Sequence, residues 1–469
     1  MGISDFSSLP PHIKAILDAL RDENHPAYIV GGAVRDLLRG AVPGDYDIAT
    51  AAKPENVIAI ARQKGWQVVD KLGHNFGVVL VVVDGHKAEV ATFRGERYGS
   101  DSHRPAQVWY ADTIEDDLSR RDFTINAMAL APDHTVIDPY GGQSDIKAGL
   151  IRAVGDSQLR FAEDGLRLFR ACRFAAQLDF SVEEKTLAAI SSQLGRAEGL
   201  AVERVREELQ KLITAPAAHR GVALLVDTGL ARASCRVREK GQCRSVPILP
   251  ELVAGQGKIL PYVPPDAALR WAALFLAAPA KGQGCSLEEA EEALARLGAA
   301  PPLIRRVVWL MTQHRIFQVY CHEKGNKAGL EDWLRSQARC GSFRYNRELT
   351  EGVDGLLALI RADLTARSED EIDEGKPAKT ANPLASFETF AATLQAEARD
   401  MPVHTSDIAY EAEQLMAALG GRDQMGAFLT AMLRQIQDRS QPNNRDAVLA
   451  AAREWRSGRK EIFPAAPND

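Results

Sequence analysis

Two adjacent glycines, Gly31 and Gly32, constrain this chain more than any other feature. They follow Tyr28-Ile29-Val30, a β-rich triplet, and precede Ala33 to Arg39, whose spacing puts Val34, Leu37 and Leu38 on one side of a helix. Strand, glycine turn and helix in immediate succession bring a ligand close to bare backbone. The first N–H groups of such a helix suit a phosphate, with Gly32 at the turn and Arg35 as counter-charge. Gly40, Pro43 and Gly44 then break the helix, and Asp45, Tyr46, Asp47 and Ile48 follow. On a strand, residues two apart share a face, so Asp45 and Asp47 are expected to project together. Like charges that close are costly unless a cation lies between them. Mg²⁺ takes carboxylate oxygens and keeps positions for phosphate oxygens, and metal ions so held serve phosphoryl transfer. A bare D-x-D is commonly a solvated turn; its distance from the glycine pair argues against that here.

The run G-G-A-V-R-D-L-L-R-G followed by D-Y-D-I-A-T resembles the head motif of the class II tRNA nucleotidyltransferase and bacterial poly(A) polymerase family. That resemblance implies an α+β protein: a nucleotidyltransferase head with a small mixed sheet, then a helical remainder. Later segments extend it. Glu115 to Leu130 contains R-R-D-F-T-I-N-A, matching the family motif without departure. Its arginines, Arg121 in particular, suit triphosphate oxygens, and Asp122 and Asn126 suit ribose hydroxyls. Residues 94 to 113 read as a polar, mobile loop, which the family carries at this place. Glu89, on the strand expected over Lys87 to Phe93, is either a third carboxylate or a solvated strand residue.

Phe161 to Phe174 reads as one helix with Asp164 and Arg167 at i and i+3, neighbours on a face. An acceptor beside a donor fork complements the edges of cytosine and adenine, which present donor and acceptor in the same order. Uracil and guanine reverse that order and leave polar groups unpaired, at about 1–3 kcal/mol each. The E-D-G-L-R segment is similar to the family's base-reading motif. The resemblance therefore assigns Asp164 and Arg167 to the base, and Arg170 and Arg173 to nearby phosphate or helix positioning. Val202 to Ile213 resembles a further family motif and reads as structural.

The chain has 469 residues, enough for several domains. The expected division is a head at 1–140, a neck at 141–215, a helical body at 216–367 and a helical, tRNA-binding tail at 386–469. Residues 235 to 265 read as a loose connection and 368 to 385 as a mobile acidic linker. The histidine–aspartate signature of longer family members is missing from Ala268 to Lys281, so a second, hydrolase activity is not expected. A net charge of −6 excludes bulk basic attraction to nucleic acid, leaving RNA contact to local arginine clusters. Six scattered cysteines lack metal-ligand spacing, and no apolar run reaches membrane-spanning length, so a cytoplasmic protein with reduced thiols is expected. The resemblance implies addition of C, A or both, from CTP and ATP, to the 3′ end of tRNA. An A-adding enzyme, a C-C-adding enzyme and a poly(A) polymerase share the head motifs. A non-catalytic RNA-binding protein is the alternative of another class.

Overall fold

The computed structural model describes residues 9–69, 77–98, 105–239, 242–252, 255, 257–276, 284–322, 327–373 and 383–458. It forms two compact units, Met1–Pro261 with Glu288–Ile304, and Tyr262–Leu287 with Arg305–Asp469.

The first unit begins with α1 (Pro11–Asp22), β1 (Ala27–Val30), α2 (Gly32–Leu38), β2 (Asp47–Thr50) and α3 (Pro54–Gln63). It continues through β3 (Gln67–Val69), β4 (Val78–Val83), β5 (His86–Thr92), β6 (Arg94–Tyr98), β7 (Pro105–Tyr110) and α4 (Ile114–Ser119). β8 (Ala129–Leu130) and β9 (Val136–Ile137) complete a seven-stranded sheet of order β3-β4-β5-β2-β1-β8-β9. Only β2 and β5 run parallel among its neighbours. The α+β fold class is as the sequence implied.

Strand alternation sorts the two faces of this sheet. Ile29, Ile48 and Val90 join Ile13, Ile16, Leu17 and Leu20 of α1 and Val57 of α3 in one core. Val30 and Ala49 face the other way, toward Ile114 and Leu118 of α4. Asp47 and Glu89 share the parity of Ala49, so they lie on the α4 side. Asp84 and Gly85 both have positive φ, 50° and 80°, as a two-residue hairpin turn requires. The valine-rich β4 alternates between buried and half-buried residues, because Val79, Val81 and Val83 face the core and the residues between them face the other side of the sheet.

The polar stretch after Phe93 departs from the loop expected there. β6 and β7 form a two-stranded sheet, with Gly95 opposite Trp109. A Cβ on Gly95 would lie 2.4 Å from the Trp109 ring, so the glycine leaves room for the indole. Residues 99–104 lie outside the described residues.

Next come α5 (Gly142–Ala148), β10 (Leu150–Ile151), α6 (Ser157–Glu163), α7 (Leu166–Leu178), β11 (Ser181–Val182), α8 (Glu184–Ser192), α9 (Val202–Ile213) and α10 (Ala218–Asp227). β12 (Ser234–Glu239) and β13 (Gln242–Pro247) form an antiparallel hairpin. That corrects the reading of 235 to 265 as loose connection. Cys235 and Val237 are buried while the partner strand is largely exposed, so little apolar alternation marks the hairpin in sequence.

The remaining helices are α11 (Ala267–Phe275), α12 (Leu287–Arg296), α13 (Pro301–His322), α14 (Lys327–Arg339), α15 (Asn346–Asp373), α16 (Pro383–Asp400), α17 (Ala412–Leu419), α18 (Met425–Gln437) and α19 (Arg445–Arg456). The expected acidic linker is shorter than read: α15 reaches Asp373 and α16 starts at Pro383, with 374–382 outside the described residues. His314 is a core residue, 2% exposed and 3.2 Å from the Asp363 carboxylate. The side chain of His322 lies outside the described residues. No described helix is long and apolar enough to cross a membrane.

Candidate active site

The site starts where β1 ends. Gly31 takes φ 74° and ψ −130°, a conformation reserved for glycine, and its N–H donates to the Met128 carbonyl. A Cβ there would lie 2.8 Å from Nη1 of Arg121, so the glycine leaves space for that guanidinium. Antiparallel pairing sets Val30 opposite Asp47, and parallel pairing sets Asp47 beside Glu89. The first aspartate of the strand therefore sits next to the glycine turn, with a second carboxylate on the adjacent strand.

Asp45 precedes β2, so strand alternation does not orient it; the loop before the strand brings it near Asp47. Asp47 reaches solvent on one side and is enclosed by protein on the others. Desolvation, then the charges of Asp45 and Glu89, push its pKa up to about 6 against the pull of Arg121. Mutually repelling carboxylates of this kind are the donor set a divalent cation relieves. Among the described residues no group of three ligands is already drawn together for a metal.

Arg121 is held from α4. Asp117 is buried, and its Oδ2 accepts from Arg121 Nη2 at 3.1 Å while Oδ1 accepts from Arg120 Nη2 at 2.7 Å. Burial alone would raise the Asp117 pKa, but the two guanidiniums hold it below the usual carboxylate range. Arg35 donates from Nε and Nη2 to Asp36 and from Nη1 to Asn126 Oδ1. Its charge is thus already matched by a carboxylate. Asp122 accepts from Phe123 N, Asn126 Nδ2 and Arg170 Nε, all within 3.2 Å. Burial pushes its carboxyl up, but Arg170 and Arg167 outweigh burial and leave it at about 2. Asp122 is an internal anchor here, with both oxygens engaged inside the protein.

The α6–α7 region differs from the single helix expected. α6 ends at Glu163, Asp164 is extended at φ −140° and ψ 107°, and α7 begins at Leu166. Gly165 fits closely against the Arg196 backbone, where a Cβ would be 2.5 Å from the carbonyl oxygen. Because the helix breaks there, the i,i+3 geometry does not apply and the two side chains have different partners. Asp164 Oδ1 caps α7 through Leu166 N at 3.0 Å, and Oδ2 lies 3.5 Å from Arg204. Arg167 is buried and donates to Glu163, to the Arg160 carbonyl and to the Arg120 carbonyl. Arg173 pairs with Glu208 of α9 at 2.5 Å, and Arg170 lies 4.0 Å from the same carboxylate. The guanidiniums of Arg35, Arg170 and Arg173 stand 5.4, 5.2 and 3.9 Å from the Phe174 ring centre.

Sequence reasoning missed Asp117, Glu208, Arg204 and Phe174 as parts of this constellation. Asp117 stood in plain view, three and four residues before Arg120 and Arg121 on a helix. Glu208, 35 residues from Arg173, has no local signal.

Residues 27–152 match the family model described as the poly A polymerase head domain, and 179–234 match the probable RNA and SrmB-binding site of polymerase A. Residues 27–152 are thus similar to the head domain of poly A polymerases. Around it, similarity to CCA-adding enzymes is extensive. The CCA-adding enzyme of Geobacillus thermodenitrificans is 43% identical over 235 residues, covering 50% of this chain and 57% of that relative. That of Levilactobacillus brevis is 43% identical over 217 residues, covering 46% and 53%. The chain thus spans little more than half the length of these curated relatives. A solved Bacillus stearothermophilus CCA-adding enzyme in complex with CTP superposes with a TM-score of 0.61 at 25% identity, covering 97% of this chain and 100% of that one. A Thermotoga maritima CCA-adding enzyme shares the fold at 19% identity and a TM-score of 0.55, covering 95% of each chain.

Proposed function

We propose that this protein is a template-independent RNA nucleotidyltransferase that adds C and A from CTP and ATP to the 3′ end of tRNA. The observation that carries the reading is the placement of Asp47 beside the glycine turn and next to Glu89 on the adjacent strand, with Arg121 against the turn. The likeness to CCA-adding enzymes, one of them solved with CTP, supports the choice of substrates.

Asp45 and Asp47 are the residues that would hold Mg²⁺. When bound, the ion supplies a lowered pKa for the attacking ribose hydroxyl and polarises the α-phosphate. The chain's own residues do the rest. Gly31 and Gly32 let the triphosphate approach the backbone, and Arg121 offers its guanidinium fork to phosphate oxygens. Arg35 braces the turn from within its pairing to Asp36 and Asn126. Asp164 and Arg167 select the base at the α6–α7 junction, which requires Arg167 to exchange internal acceptors for the nucleotide. Arg170 and Arg173 hold α7 against Asp122 and Glu208. The four-part division into head, neck, body and tail, with the tail on tRNA, belongs to the same proposal.

The test is to incubate the protein with tRNA lacking C-C-A and labelled CTP and ATP. Incorporation is expected, and its absence overturns the reading. Sizing the products on tRNA ending before and after C-C distinguishes full addition from C-C addition, A addition and poly(A) synthesis.

A further inference from the structure

Charge pairing around the site is uneven. Arg35 is matched by Asp36, Arg170 by Asp122 and Arg173 by Glu208. Asp117 is shared by two cations, Arg120 and Arg121, through separate carboxylate oxygens. The two arginines are not equivalent. Arg120 also donates from Nε to the Arg94 carbonyl at 3.1 Å. Arg121 has a buried Nε with no hydrogen-bond partner among the described residues, and its Nη1 lies in the space that Gly31 leaves. A buried guanidinium N–H without an acceptor is a group waiting for one, and phosphate oxygens meet a guanidinium fork well.

We infer that Asp117 is a positioning residue for the nucleotide's triphosphate: it holds Arg121 against the Gly31 turn by one ion pair while leaving the rest of that guanidinium for phosphate. This rests on the nucleotidyltransferase reading and deepens it. The carboxylate touches no substrate. It is 1% exposed on α4, which Thr113 caps through Asp116 N, so its place is set by the helix and by the core beneath it. Loss of its charge frees Arg121 to swing, and the contribution that depends on the β- and γ-phosphates falls while contacts to base and ribose stay.

The experiment compares CTP with CMP as equilibrium ligands of the full chain, and adds KM for CTP, KM for tRNA and kcat. Wild type binds CTP more tightly than CMP. Asp117→Asn is expected to lower CTP affinity about tenfold, the scale of one charge-assisted hydrogen bond. CMP affinity and KM for tRNA stay unchanged, KM for CTP rises more than kcat falls, and Asp117→Glu restores part of the preference. An Asp117→Asn protein that keeps the wild-type CTP-to-CMP ratio overturns the inference. If that variant does not fold, Asp117→Glu, which keeps the charge but moves the carboxylate by one methylene, should lower CTP affinity less than tenfold with CMP affinity unchanged; an unchanged CTP-to-CMP ratio overturns the inference. A wild-type protein with no preference for CTP defeats the nucleotidyltransferase reading itself, a distinct outcome.

Discussion

The α2–α7 region of the first unit and the helical second unit use buried polar groups differently. In the first unit, side chains distant in sequence converge: Arg35 reaches Asn126 across 91 positions, Arg170 reaches Asp122 across 48 and Arg173 reaches Glu208 across 35. Each link shares a residue or an aromatic ring with the next. In the second unit, polar contacts more often join helices one pair at a time, with sharing at Asp363 and Asp438. Trp309 Nε1 donates to Gln337, Trp333 Nε1 to Gln313, and Arg361 pairs with Glu388. Buried ion pairs offer little net stability over well-packed apolar groups. A network of them therefore marks where the chain has put arrangement ahead of stability. The fasteners of the second unit mark only how helices are joined.

The comparison can be broken most sharply at Asp47. Asp47→Ala should reduce incorporation of labelled CTP by roughly a thousandfold, the scale of several kcal/mol of lost metal-assisted stabilisation. Its thermal midpoint should stay level or rise, because repulsion from Asp45 and Glu89 is relieved; a folded variant with wild-type turnover refutes the site. Next is Arg167→Ala, which leaves two carbonyls without their donor and Glu163 with Arg160 alone. Urea unfolding should show a loss of about 3 kcal/mol together with impaired nucleotide choice. Fidelity loss without destabilisation would mean that the buried contacts contribute less than their geometry implies.

Asp122→Asn tests the network by pH. The Asp122 carboxyl is held at about 2, below its unfolded value near 3.8, so its stabilisation is fully present above that unfolded value. It is lost as pH falls from about 4 through about 2. The wild-type advantage over the variant should be about 2 kcal/mol near neutrality and should shrink across that window. A pH-independent difference would locate the effect in packing. The smallest effect belongs to the second unit. Arg361→Ala removes an exposed pair with Glu388 and should cost less than about 1 kcal/mol by chemical denaturation. A loss equal to that of Arg167→Ala would erase the contrast.

Much of the site was legible because it is local. The two glycines mark a turn by their own backbone freedom, Asp45 and Asp47 follow a short way on although only Asp47 is on the strand, and Asp84-Gly85 declares its hairpin. The α1 face could be read from Ile13, Ile16, Leu17 and Leu20 alone. The β6–β7 and β12–β13 pairings were not legible. Gly95 and Trp109 meet only after the strands do, and Arg236, Arg244 and Ser245 carry no apolar rhythm. The helix break at Asp164 also escaped reading, since Gly165 is tolerated in many helices and its close fit to Arg196 depends on a distant segment.

By itself the sequence determined which chemical groups are present and where the chain must turn, because glycine conformation, helix period and strand alternation act within a few residues. Tertiary structure alone decided the distant partners: Asp164 with Arg204, Arg167 with the Arg120 carbonyl, Arg170 with Asp122 and Arg173 with Glu208. The reason is physical. A buried charge takes whichever counter-charge the packed elements bring within reach, and that choice involves residues tens of positions apart, beyond any local pattern.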